Sequence, residues 1–392
     1  MKTVAILGGG PAGSLAAERL ARAGVRTLLF DEKLAWEKPC GGGLTYKAYH
    51  TYPFLLENDT PKKFVTDTVL AAPEAGSARL ALDHPLVIYS RFDLNNLLLR
   101  RAEEAGAQIE KTRVLGVERT GQGWSLRTRS GAAQADSVIL ATGARNSLRN
   151  LGTELGASDT ACALGYYVPS NQDHIDIQFL RELEGYIWVF PRCGHLSVGI
   201  CGKGEASQLL RSRLERYMSE KGISWHQASF YGHVLPSLES SSWRRNRVAG
   251  EGWLAAGDAA GLVDPITGEG LYYAMRSGDL ASQAILRDLP AGETATAYRA
   301  ALRRDFMADL EFGAMLAKRV FVGRFMLSTV PDRMVEFVRR STRFNALMQD
   351  LFAGTQPYLG LKRRLLKNLN GTLHEVVMSF FLHRLIPSEE TV

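Results

Sequence analysis

The stretch TVAILGGGPAGSLAAERLARAG, residues 3–24, reads as a strand, a tight turn and a helix. An apolar run at 4–7 leads into Gly8, Gly10 and Gly13, spaced G-x-G-x-x-G, and the helix that follows turns Leu15 and Leu20 inward. Gly8 permits the turn, Gly10 lets the backbone approach a pyrophosphate, and Gly13 lets helix and strand pack closely. Pro11 and Ala12 complete the loop. A pyrophosphate there would sit on the helix N-terminus, where unpaired N–H groups and the helix dipole favour an anion. The next strand, RTLLF, ends at Asp31, 18 residues past the last glycine, with Glu32 beside it. A carboxylate at that point can accept from a ribose diol. Glycines, flanking strands, helix and acid together predict a Rossmann-like dinucleotide-binding domain in a mixed α/β (α+β overall) chain.

Working outward, GWLAAGDAAGLVDPITGEGLYYAMRSGDLAS, residues 252–282, is a short strand, a Pro/Gly-rich turn and a helix from about Gly270. Such a turn can bring Asp258 to a ribityl or pyrophosphate group and aim the helix N-terminus at a ring carbonyl. That placement would stabilise the negative charge of a reduced flavin. Only one dinucleotide fingerprint is present, and Cys40 stands alone where two-dinucleotide reductases carry a C-x4-C pair. Cys40 lies in EKPCGGGL, residues 37–44. Three consecutive glycines are costly to order, so they imply a chain passing close to something bulky. In GYIWVFP, the strand period of two puts Tyr186, Trp188 and Phe190 on one face.

The chain resembles the geranylgeranyl reductase family, flavoproteins on the p-hydroxybenzoate hydroxylase-type FAD fold, over residues 1–290. The similarity rests on Gly8–Gly13, KPCGGGL, YSRFDLNNLLLRRAEEAGA, VILATGARNS, GYIWVFP and GDAAGLVDPITGEG. It implies FAD as cofactor, held by the first glycines, Asp31, Glu32, Cys40, Gly41, Gly42, Arg91, Ala141, Gly143, Asp258, Gly268, Gly270 and Leu271. It also implies hydride delivery to isolated C=C bonds of a prenyl lipid, with Cys40, Tyr186 and Trp188 as catalytic candidates. Tyr186, Trp188, Phe190 and Pro265 would form the substrate wall. NAD(P)H or a ferredoxin-like protein would supply the electrons. The family's longer aromatic motif begins with proline three residues before the tyrosine, where this chain has Leu183. A flavin monooxygenase or halogenase, and a non-redox flavoprotein acting on isoprenoids, stay open beside the reductase.

These expectations divide the chain into an FAD domain (1–75, 95–155 and 250–300), a β-sheet substrate domain (76–94 and 156–249) and a helical region (301–392). In the last, GLKRRLLKNL sets Leu361, Leu365, Leu366 and Leu369 on one face. Asn370-Gly371 is expected to stop that helix, with Thr372 and Glu375 capping the next.

The 392 residues carry a net charge of +6. Residues 317–386 hold 12 Lys+Arg against 4 Asp+Glu, so the rest of the chain is slightly acidic. That segment is expected to face anionic lipid peripherally or an acidic protein partner, or to be a solvated helical face. No nucleic-acid motif accompanies the charge. The four cysteines form no CxxC pair and no zinc spacing, so free thiols and no metal are expected. No apolar run is long enough to span a bilayer and the first residues enter a strand at once, so the cytoplasm is expected.

Overall fold

The structure is a computed structural model that describes residues 2–121, 123–148 and 150–385. Six strands form the nucleotide-type sheet, in the order 249–250, 253–255, 137–140, 3–7, 26–30, 108–110. All its pairings are parallel except that of Ala249–Gly250 with Trp253–Ala255. Strand Thr3–Leu7 lies in the middle and is buried throughout, which explains its uninterrupted apolar run. Helix Pro11–Arg22 leaves the end of that strand. Helix Leu271–Leu286 crosses it so closely that a Cβ on Gly278 would stand 2.1 Å from the Ala12 carbonyl oxygen. A three-stranded sheet spanning 114–135 is appended.

The second sheet has eight strands, in the order 229–236, 160–168, 196–203, 184–191, 175–179, 62–72, 76–89, 43–44. Its mainly antiparallel pairing is the one expected for 156–249. Lys62–Ala72 belongs here, pairing in parallel with Ile175–Phe179 and antiparallel with Gly76–Tyr89. The sequence grouping of residues 1–75 with the nucleotide layer is thus corrected, because 62–89 is one long hairpin that cannot be divided between sheets. Helix Ser207–Glu220 covers one face of this sheet through Leu210, Leu214 and Met218. The other face meets the C-terminal helices, with Phe321, Val335, Val338 and Met348 packed against Val65, Leu70, Ile177 and Trp188.

The C-terminal region contains helices Ala308–Val322, Val330–Arg340, Thr342–Ala353 and Tyr358–Leu385. The expected stop at Asn370-Gly371 does not occur, and the last helix runs through it. Gly371 serves packing instead. Its missing side chain makes room for Arg343, whose Nη1 would lie 1.9 Å from a Cβ there. Glu375 likewise caps a different helix, accepting from Ser341 Oγ and pairing with Arg343 at 3.1 Å. The side chain of Leu369 lies outside the described residues.

Candidate active site

One cavity of about 2050 Å³ runs between the two sheets and beneath the C-terminal helices. That is roughly twice the upper end for a pocket holding one drug-sized molecule. One end is polar and built from the glycine loops; the other is walled by aromatic and aliphatic side chains.

At the polar end, the first three glycines divide their labour. A Cβ on Gly8 would stand 2.2 Å from the Ala141 carbonyl oxygen, and one on Gly13 would stand 1.9 Å from the Gly8 carbonyl oxygen. Both are therefore required by internal packing, and Gly8 also has a φ of +114°. Beyond its chain neighbours, no atom of the described residues lies within 4 Å of a Cβ on Gly10, which faces the cavity. A side chain there would fill the cradle at the start of helix Pro11–Arg22. Pro11, Ala12, Glu32, Ala141 and Gly143 also line this end. Asp31 accepts from the backbone N–H of Gly9 at 2.7 Å, Lys33 at 2.7 Å and Leu34 at 2.9 Å, so its carboxylate shapes the loop as well as facing the cavity.

Arg91, the first residue of helix Arg91–Glu104, is buried with its guanidinium against Asn95 at 3.3 Å. Its Nε has no hydrogen-bond partner among the described residues. Opposite, Lys38 pairs with Asp258 at 3.0 Å, joining the cysteine loop to the 252–282 motif. Burial alone would raise the Asp258 carboxyl; the Lys38 ammonium overcomes it and holds the group below its usual range. His233 faces the same cavity with Nε2 unpartnered among the described residues. Burial, reinforced by Lys38, lowers it to about 4, so its ring is neutral at physiological pH. The open cradle at Gly10 and the unpaired Arg91 Nε are compatible with a flavin cofactor that carries phosphate.

The cysteine loop is held from below by a residue that sequence reasoning missed. Arg192 follows GYIWVFP directly and its side chain is fully buried. It pairs with Glu37, donates to the carbonyl oxygens of Cys40 and Gly41, and lies 5.2 Å from the Tyr167 ring centroid. Glu37 in turn accepts from the backbone N–H groups of Arg91 at 2.9 Å and Phe92 at 3.2 Å. Burial opposes ionisation of Glu37, but Arg192 and these donors keep it below the ordinary carboxylate range. Ser197 Oγ also donates to the Cys40 carbonyl at 3.0 Å. A charged residue placed directly after an aromatic strand was the available signal.

The three glycines also have protein neighbours. Cβ atoms on Gly41 and Gly43 would stand 3.3 and 2.9 Å from the Phe190 ring. Gly42, at φ +86°, would bring a Cβ within 2.1 Å of the Tyr89 carbonyl oxygen. The run is needed where the loop crosses Phe190 and strand Gly76–Tyr89, and that crossing carries Cys40 to the cavity wall. The Cys40 thiol accepts from Gly42 N–H at 3.3 Å.

Tyr186, Trp188 and Phe190 all line the cavity. Trp188 lies across Gly199 of the next strand, and its Nε1 approaches Ser197 Oγ at 3.4 Å. Tyr186 donates to the Thr267 carbonyl and stacks on Phe321 of helix Ala308–Val322, with centroids 6.3 Å apart. Gly268, Gly270 and Leu271 line the same region, whereas Pro265 does not and packs against Gly313. Its place in the wall is taken by Ile266 and by the helices, through Met334, Phe337, Leu347, Met348 and Leu351. Sequence reasoning left these helices outside the site.

Glu269 also borders the cavity, within 3.4 Å of Thr45 Oγ1. Burial, with Asp264 nearby, raises its carboxyl to about 7. Asp264 is itself locked by Tyr358 Oη at 2.9 Å and by the backbone N–H groups of Ile266 and Thr267.

Fold and site together define a flavin-dependent oxidoreductase. The pyridine nucleotide-disulphide oxidoreductase family model matches residues 2–174. The chain is 29% identical over 325 residues to the chloroplastic geranylgeranyl diphosphate reductase of Oryza sativa, covering 72% of this chain and 66% of that one, just under two thirds of its length. It is 29% identical over 339 residues to digeranylgeranylglycerophospholipid reductase 2 of Methanothermobacter thermautotrophicus, covering 79% and 85%. A geranylgeranyl bacteriochlorophyll reductase-like protein from Thermoplasma acidophilum shares the fold, with a TM-score of 0.76 at 24% identity, covering 94% of this chain and 99% of that one. The chain is thus similar in sequence to geranylgeranyl reductases and shares its fold with a geranylgeranyl bacteriochlorophyll reductase-like protein. No group of His, Cys, Asp and Glu that could hold a metal ion occurs among the described residues.

Proposed function

We propose that the protein is an FAD-dependent reductase that saturates C=C bonds in the prenyl chain of an isoprenoid lipid or diphosphate. The observation that carries this is the continuity of the cavity, in which a dinucleotide cradle opens directly into a long apolar arm. Bound FAD, when reduced, would supply hydride. The residues supply the rest. Arg91, Gly10 and the Lys38–Asp258 pair would hold the cofactor, and the Arg192–Glu37 pair would fix the loop bearing Cys40. Tyr186, Trp188 and Phe190 would lay an unactivated alkene against the reacting edge, while the helical roof excludes water.

An isolated alkene has no carbonyl to absorb charge, so a proton must reach the second carbon. Two groups of the wall can give one, the Cys40 thiol and the Glu269 carboxyl, the latter about half protonated near neutral pH. Electrons would come from NAD(P)H or a ferredoxin-like protein. The protein would work in the cytoplasm, resting peripherally on a membrane; no helix among the described residues is long and apolar enough to cross one.

The test is anaerobic. The flavin of the purified holoenzyme is identified, reduced chemically, and mixed with candidate prenyl lipids. Products heavier by two hydrogens support the reductase. No saturated product under these conditions, together with rapid reoxidation and an oxygenated product once oxygen is admitted, would transfer the protein to the monooxygenases.

A further inference from the structure

Between the helices that roof the cavity lies a short hairpin, Arg324–Phe325 paired with Ser328–Thr329. Its two turn residues, Met326 and Leu327, have φ of +49° and +66°. Positive φ at both centres of a two-residue hairpin turn is the geometry that favours Asn-Gly. Here it is occupied by two large apolar residues, in a backbone region costly for side chains of this kind. They are not there to fill a core. Leu327 is 96% exposed, and Phe325 and Met326 beside it are exposed too. The tip spends backbone strain to hold apolar side chains in water.

Its position gives the apolar tip a use. Gly323, Arg324 and Phe325 line the cavity, as do the exposed Met315 and Leu366 of the neighbouring helices, so this is where the apolar arm opens to solvent. The segment that carries the hairpin is basic. Residues 315–329 contain Lys318, Arg319 and Arg324 and no acid, and the exposed Lys362, Arg363 and Lys367 stand on the last helix. Arg333 braces the turn by donating to the Met326 carbonyl at 2.6 Å.

We propose that the Phe325–Leu327 tip inserts into the surface of an anionic phospholipid bilayer, with these lysines and arginines at the headgroups, seating the cavity opening on the membrane. Apolar tip and basic collar complement a surface of negative headgroups over acyl chains, each cation adding about fivefold to partitioning. A lipid chain could then pass into the cavity without crossing water. That purpose rests on the function proposed above, whereas insertion itself does not.

The test uses full-length holoenzyme and a variant in which the turn takes its preferred residues, Met326→Asn with Leu327→Gly. This change suits the backbone, removes two of the tip's three apolar side chains, and touches no residue that lines the cavity. Co-sedimentation is measured with vesicles of phosphatidylglycerol and phosphatidylcholine, and with phosphatidylcholine alone. Wild type should bind the anionic vesicles, less so in high salt, and the variant should bind at least about tenfold more weakly. Its flavin content and its turnover of detergent-dispersed prenyl lipid should be unchanged. Equal binding by the two proteins, or none by wild type, overturns the proposal. So does a variant that binds vesicles normally but no longer accepts electrons from a donor protein, which would make the tip a protein-docking site. Loss of vesicle binding in a protein that reduces no prenyl lipid would leave insertion standing and remove the reductase.

Discussion

The two ends of the cavity were built under different constraints. At the nucleotide end, function is written in consecutive residues. The turn after strand Thr3–Leu7 must be glycine at Gly8 and Gly13 because backbone atoms lie within 2.2 Å of any Cβ, while Gly10 must be open toward the cavity. At the chain end, the wall is collected from strands 175–179 and 184–191 and from four helices after residue 307. GYIWVFP announces one strip of it, and no single stretch announces the rest. A site that binds phosphates uses backbone N–H groups and so demands local geometry, whereas a site for an alkyl chain needs only apolar volume, which many sequences can supply.

The largest expected effect sharpens that contrast at the loop joining the two ends. Gly42→Val places a β-branched residue at positive φ against the Tyr89 carbonyl, which should cost about 4 kcal/mol or more and give poorly soluble protein. A soluble variant with wild-type melting would show that the loop is not pinned to strand Gly76–Tyr89.

Arg192→Met comes next, losing about 3 kcal/mol because Glu37 and two carbonyl oxygens are left without their partner. Adding Glu37→Gln should recover part of that loss in chemical denaturation. Independent, additive effects of the two changes would break the proposed link between the aromatic strand and the cysteine loop.

Gly10→Val should separate fold from cofactor. Because nothing beyond the adjacent chain meets a Cβ there among the described residues, melting of the apoprotein should stay within about 4 °C of wild type, yet the protein should purify flavin-poor. Full flavin occupancy in this variant would remove the pyrophosphate from that cradle.

The smallest effect concerns Glu269. Its folded-state pKa of about 7 lies above the ordinary value of 4.5, so the fold favours the protonated form. Its contribution is fully present below pH 4.5 and is lost as pH rises toward and through 7. Glu269→Gln should therefore match wild type near pH 4.5 and be more stable by about 1–2 kcal/mol above pH 7, allowing for the water that reaches the cavity wall. Parallel stability curves for the two proteins would return Glu269 to an ordinary surface acid.

The same contrast explains which parts of the molecule were legible in the sequence. The strand–turn–helix at 3–24, the helix beginning at Leu271 and the shared face of Tyr186, Trp188 and Phe190 were legible, because each depends on neighbours in the chain. The roof was not. The amphipathic pattern at 360–369 states that one face is apolar but not whether sheet, lipid or water lies opposite. Gly371 carries the same composition as a helix stop and is a crossing point for Arg343. Arg192, Glu269 and the pairing of Lys38 with Asp258 were missed because the partners lie 151 to 224 positions apart in the chain. The glycines of the cysteine loop were noticed for the right reason, close approach, but part of what they approach is Phe190 and Tyr89.

The central claim is that cofactor and prenyl chain meet in one cavity. The direct measurement is anaerobic stopped-flow absorbance of chemically reduced holoenzyme mixed with a geranylgeranyl lipid, and separately with its fully saturated counterpart. The account predicts that the unsaturated lipid restores the oxidised flavin spectrum while the saturated lipid leaves the flavin reduced. Reoxidation by neither lipid, or by both at the same rate, would contradict it.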